Sequence, residues 1–166
     1  MGGPVSVPDP EHLVHLQFRR FAGCPICNVH LRSVAVRYPE IQAAGITEVA
    51  VFHAPADELR KHVKELPFAV VADPARRLYV EFGVESAPRA LLDPRVWPSV
   101  IRSLAVELPR ALRGRAYAPK LKPTGGRLGL PGDFLIAPDG TVLAARIGAH
   151  ADDQWSVDEV LNLARR

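Results

Sequence analysis

Long apolar runs are missing from this chain. No stretch approaches the roughly 20 residues needed to cross a bilayer. The N-terminal MGGPVSVPDPEH has neither a basic n-region nor an apolar h-region. A soluble, cytoplasmic protein without a membrane partner is therefore expected. Cysteine is almost missing too: Cys24 and Cys27 are the only two. That is too few for a disulfide scaffold or for a structural zinc site built from two cysteine pairs. Charge is nearly balanced, with a formal excess of +3, which is too mild to argue for nucleic acid. Proline is not scarce: the 16 prolines point to many turns and a loop-rich insertion.

One domain is expected over residues 1–166, with 1–11 as a flexible lead-in in which Pro4, Pro8 and Pro10 block regular structure. HLVHLQFRRF (12–21) alternates as a strand, with Leu13, His15 and Gln17 on one face and Val14, Leu16 and Phe18 on the other. From Cys24 a helix is expected, with Pro25 in its first turn. GITEVAVFHA (45–54) reads as a strand, APADELRKHVKEL as a helix, PFAVVADP (67–74) as a strand and PARRLYVEFGV (74–84) as a helix. Such alternation argues for crossover units and parallel strands. GDFLIAPDGTVLAARIG (132–148) reads as a hairpin around Pro138-Asp139-Gly140. SVDEVLNLARR closes the chain as a helix, with Ser156 and Glu159 forming a capping box.

Residues 85–130 form an insertion. Trp97, Val100, Ile101, Leu104 and Leu108 recur at helical spacing within it, so one or two helices are expected there. Their apolar stripe reads as a packing face; if exposed, it would suit a homodimer. The segment from Arg110 to Arg127 is basic and holds no acidic residue. It reads as a solvated face, or as a docking surface for something anionic.

GCPICN (23–28) carries the chemistry. A thiolate, not a thiol, attacks a disulfide or peroxide, and a free cysteine titrates near about 8.5. At a helix N-terminus, unpaired backbone N–H groups and the positive dipole end stabilise the anion. Cys27, one turn on, is placed to close a disulfide on Cys24. Arg19 and Arg20 add positive potential from the preceding strand. C-x-x-C alone is a weak signal, but directly after a strand and opening a helix it reads as redox-active. Two other readings stay open: a metal site using Cys24, Cys27 and His30, or inert buried thiols.

Three pieces, FRRFAGCPICNVHLRSV, ITEVAVFHA and LPGDFLIAPDGTVLAARIGAHADDQWSVDEVL, resemble the thioredoxin superfamily. Within it they are most similar to the peroxiredoxin-like branch of the AhpC/TSA group that carries C-x-x-C. The resemblance implies an α/β, thioredoxin-like fold, a central mixed sheet flanked by helices with the insertion before the last hairpin. It implies a thiol-dependent oxidoreductase that reduces a peroxide or a disulfide through a reversible Cys24–Cys27 disulfide. No metal or organic cofactor is implied; the partner is a thioredoxin- or glutathione-type electron donor. Pro131 stands where thioredoxin-type folds keep a cis-proline beside the cysteines. Peroxiredoxins carry P-x-x-x-[TS]-x-x-C, and counting back from Cys24 gives Gln17 and Phe21 instead. Counting from Cys27 puts Cys24 in the threonine slot, so either cysteine can be assigned as attacker. Cys24 is preferred, as the N-terminal and more exposed member. Arg89, Arg127 and Arg146 are candidates for a peroxide-holding arginine. The alternatives to the enzyme are a redox-sensing module without turnover and a small zinc protein.

Overall fold

The computed structural model describes residues 4–84, 86–114 and 123–166, and nothing of the Arg89 side chain. Five strands form one sheet in the order β3-β2-β1-β4-β5. They are β1 (Leu13–Arg19), β2 (Ile46–Phe52), β3 (Ala69–Ala72), β4 (Gly132–Ile136) and β5 (Val142–Ile147). β1, β2 and β3 run parallel, whereas β4 and β5 pair antiparallel, so the sheet is mixed as expected.

The alternation in β1 decides which side chains face which layer. Val14, Leu16 and Phe18 enter an apolar cluster with Val49, Val51, Tyr79 and Phe134. His15, Gln17 and Arg19 point to the opposite face and are fully buried there. That face is covered by helices α1 (Pro25–Val36) and α7 (Val157–Ala164), whose Leu31, Val34, Val160 and Leu161 pack with Phe52, Leu135 and Trp155. Pro39, in the first turn of α2 (Tyr38–Ala43), has no N–H to continue the helix, so α1 stops at Val36. In α7 both arms of the Ser156–Glu159 capping box form.

Two helices are shorter than their sequence patterns. α3 spans only Ala56–Arg60 and α4 only Arg77–Glu81. In the insertion, α5 (Arg89–Leu92), a 3-10 turn (Pro94–Val96) and α6 (Trp97–Leu112) follow one another. α6 lies along α1 with its polar side inward: Ser103 is buried, and Glu107 accepts from Arg32 of α1 at 2.6 Å. Of the stripe expected to pack inward, Val100 does so, against the cysteine cluster, but Trp97, Ile101, Leu104 and Leu108 face out, with Trp97 55% exposed. The packing-face reading is thereby corrected. The cause lies in the facing residues: α1 presents Arg32 to α6, which selects a carboxylate partner over a leucine.

Candidate active site

β1 ends at Arg19, and the chain turns through Gly23, at φ 76°, into the N-terminus of α1. A Cβ at Gly23 would meet the His62 ring at 2.6 Å, and the left-handed backbone favours glycine, so any other residue is strained at this elbow. Cys24 is the N-cap residue. Its Sγ accepts from the backbone N–H of Cys27 at 3.4 Å. Cys27 Sγ lies 2.7 Å from Cys24 Sγ, in hydrogen-bond contact. The Arg20 guanidinium reaches Cys24 Sγ at 3.8 Å, and its other amino group donates to the carbonyl of Arg127.

These contacts split the two thiols. Burial opposes charge on Cys24, but the donors from Cys27, the Arg20 cation and the helix N–H groups outweigh it and bring its pKa down to about 7. Burial and the neighbouring Cys24 push Cys27 well up. Cys24 is therefore the sulfur that ionises first, with Cys27 as its proton-bearing donor.

One expectation is corrected. Cys24 is not the more exposed cysteine: it is 0% exposed and Cys27 1%. Phe21, Ile26, Val96 and Ala151 enclose them, with Leu91 and Val100 packed outside. The insertion thus roofs the pair. Its position is fixed by the Ala151 N–H donating to the Ala90 carbonyl at 3.0 Å and by Ser99 donating to Asp152. The N-cap position and the Arg20 contact, not exposure, set Cys24 apart from Cys27.

Pro131 is buried and precedes Gly132, which pairs with Phe18, so it stands at the sheet end from which the cysteines hang. Its peptide bond is not cis; among the described residues only Val7–Pro8 is. Its ring abuts Gly148, and its carbonyl accepts from the Gly148 N–H at 2.9 Å. Of the candidate arginines, Arg127 lies near the site, its guanidinium 5.8 Å from the Phe21 ring centroid. Arg146 pairs with Glu159 at 2.9 Å, on the far side of the hairpin. The Arg89 side chain falls outside the described residues. Arg20, read from the sequence as a source of potential, is the cation that addresses sulfur.

His30 turns its Nε2 to Arg19 at 3.2 Å rather than joining the cysteines. Among the described residues no three His, Cys, Asp or Glu side chains gather as a metal site. Beneath α1 lies a polar row that sequence reading missed. Arg19 donates to Gln17 at 2.6 Å and to Asp133 at 2.7 Å, and His15 bonds Glu48 at 2.8 Å. Burial alone would discharge these groups. Glu48 and Asp133 outweigh burial at His15 and lift its pKa to about 9, and Arg19 with His15 holds Asp133 well down. Asp133 is 114 residues from Arg19, so no local pattern announces the pairing.

His53 follows the last residue of β2 beside this site and is 1% exposed. Among the described residues neither ring nitrogen has a partner at full hydrogen-bond geometry. Gly125 and Gly129 press against its ring, where side chains would come within 2.4 Å and 2.9 Å. Burial and the nearby Arg76 and Arg20 cations keep it neutral, with a pKa of about 4.

Comparison with known proteins bears on the fold and the family. No curated protein matches the chain. Among solved structures, peroxiredoxin 6 of Arenicola marina superposes with a TM-score of 0.64 at 14% identity, over 93% of this chain and 60% of that one. Peroxidoxin BcpB of Mycobacterium tuberculosis gives 0.62 at 16% identity, over 93% and 79%. A putative thiol:disulfide interchange protein DsbE of Chlorobium tepidum gives 0.54 at 19%, over 93% and 82%. These likenesses establish the thioredoxin-like fold. The sequence model of the AhpC/TSA antioxidant enzymes matches residues 33–150, well over half the chain, starting just past the cysteine pair. With the mixed sheet of a thioredoxin-like fold and a match over this much of its length, the chain belongs to the AhpC/TSA antioxidant enzyme family.

Proposed function

We propose that the protein is a thiol peroxidase in which Cys24 attacks and Cys27 resolves. The observation that carries this is the asymmetric sulfur pair: one thiolate held by an amide N–H and a guanidinium, with a thiol 2.7 Å away. The Cys24 thiolate attacks the distal oxygen of a peroxide. The O–O bond breaks, the departing alkoxide takes a proton to leave as alcohol, and Cys24 becomes a sulfenic acid. Cys27 then attacks that sulfur and loses its proton. Water departs, and a Cys24–Cys27 disulfide forms. A thioredoxin-type dithiol, or two equivalents of a glutathione-type thiol, returns two electrons and two protons and leaves as a disulfide.

Burial favours the peroxide over a protein disulfide as oxidant. Sulfurs roofed by Val96 and Ala151 admit a small molecule more readily than another protein's backbone. Arg20 supports charge developing at sulfur and oxygen, the kind of preorganised electrostatic help that acts best in a dry site. The test is peroxide consumption with a dithiol donor by wild type, Cys24→Ser and Cys27→Ser. Cys24→Ser is expected to be inactive. Cys27→Ser should stop after one turnover with a dimedone-trappable sulfenic acid on Cys24. Trapping on Cys27 in Cys24→Ser instead would reverse the roles. A disulfide that forms without turnover would leave the sensing module as the better description.

A further inference from the structure

α6 is built inside out. Inward it sets Val100, Ser103 and Glu107; toward solvent it holds Trp97, Ile101, Leu104, Leu108 and Leu112, each more than half exposed. The spacings of four, three, four and four residues put these five on one stripe. Monomeric soluble proteins rarely leave a continuous apolar strip of this size open without a use. Peroxide chemistry at the cysteines uses none of it.

Charge decides what covers the stripe. Exposed Arg95 and Arg113 stand at the two ends of α6 and exposed Arg102 lies within it, whereas Glu107, the single acid of α6, is already paired with Arg32. From Arg110 to Arg127 the sequence carries six Lys or Arg and no Asp or Glu. Two copies laid antiparallel about Leu104 would set Arg95 of each near Arg113 of the other, a like-charge contact that opposes pairing. An apolar face with an indole at one end and cations at both ends fits the headgroup region of an anionic bilayer. We infer that α6 is an in-plane membrane helix through which the protein binds anionic lipid surfaces reversibly. No spanning segment is needed for this, so the lack of long apolar runs in the sequence is compatible with it.

The two tryptophans make the test direct. Trp155 is 4% exposed and Trp97 55%, so a change in indole emission on binding reports Trp97. The full chain would be mixed with phosphatidylglycerol vesicles and, separately, phosphatidylcholine vesicles. The expected result is co-sedimentation and a blue shift with phosphatidylglycerol, weakened by high salt, and little of either with phosphatidylcholine. Ile101→Glu and Leu108→Glu should each weaken binding by about tenfold or more, since each loses a buried aliphatic contact. Both positions are exposed, so circular dichroism and peroxide turnover without vesicles should stay unchanged. The inference is overturned if the chain ignores phosphatidylglycerol, if both variants bind as wild type does, or if the chain elutes as a dimer that Ile101→Glu dissociates without vesicle binding.

Discussion

At the scale of single residues, the site is a contest between burial and four specific contacts around Cys24. Burial alone would make the thiol inert. Arg20 is the contact whose removal is cleanest, because it changes charge without touching the sulfur pair or the helix cap. Replacing Arg20 by Gln should raise the Cys24 pKa by about one unit or more, the usual effect of losing an adjacent opposite charge. The thiolate ultraviolet absorbance, followed against pH, reads this directly. Wild type should titrate near 7. Arg20→Lys should fall between wild type and Arg20→Gln, and Cys24→Ser should lose the transition altogether. An unchanged midpoint in Arg20→Gln would assign the stabilisation to the amide N–H groups and Cys27. Arg20 was legible in the sequence only as nearby positive charge. Its aim at sulfur depends on the turn through Gly23, which composition does not reveal.

At the scale of elements, the strand-to-helix elbow places the chemistry. Gly23 combines a left-handed backbone with a neighbouring ring that leaves no space for a Cβ. Gly45 is a useful comparison: its φ of 71° is similar, but nothing lies within 4 Å. Gly45→Ala should therefore cost only the backbone strain, about 1 kcal/mol. Gly23→Ala should cost more, about 2–3 kcal/mol, because His62 must also move. Urea unfolding of the two variants measures the difference, and equal losses would show that the His62 contact yields freely. Elements defined by local pattern were readable: the alternation in β1, Pro25 at the start of α1, the turn at Asp139-Gly140 and the box at Ser156. Elements defined by their neighbours were not. The periodicity of α6 gave its helical state correctly, but a hydrophobic stripe does not say which side the rest of the protein occupies. The segment after Arg60 had apolar residues at helical intervals, yet it closes as turns around Leu59 and Val63.

At the scale of the whole molecule, buried ionisable groups on both sides of β1 tie stability to pH. His15 holds its proton up to about pH 9, against about 6.5 when unfolded. Its contribution is complete below pH 6.5 and is lost as pH rises toward 9. Cys24 runs the other way. With a folded pKa of about 7, below the unfolded value of about 8.5, its contribution is present above 8.5 and is lost as pH falls through 7. Between pH 7 and 8.5 the two slopes oppose each other, so the reduced wild type should change little in unfolding free energy. On the acid side nothing offsets the loss. His30 and His53, kept neutral down to about 3 and about 4 by burial and neighbouring arginines, stay unprotonated in the fold while the unfolded chain takes up protons below 6.5. Stability should therefore drop from pH 6.5 toward 4. Cys24→Ser removes one of the two opposing slopes. Its unfolding free energy should decline from pH 7 to 8.5 by up to about 1.4 kcal/mol per pH unit, the full linkage of one proton. Urea midpoints under a dithiol, at several pH values for wild type and variant, give both curves. Parallel curves would mean that Cys24 is not ionised in the fold near neutrality, and the thiolate on which the proposed peroxidase chemistry depends would be gone with it.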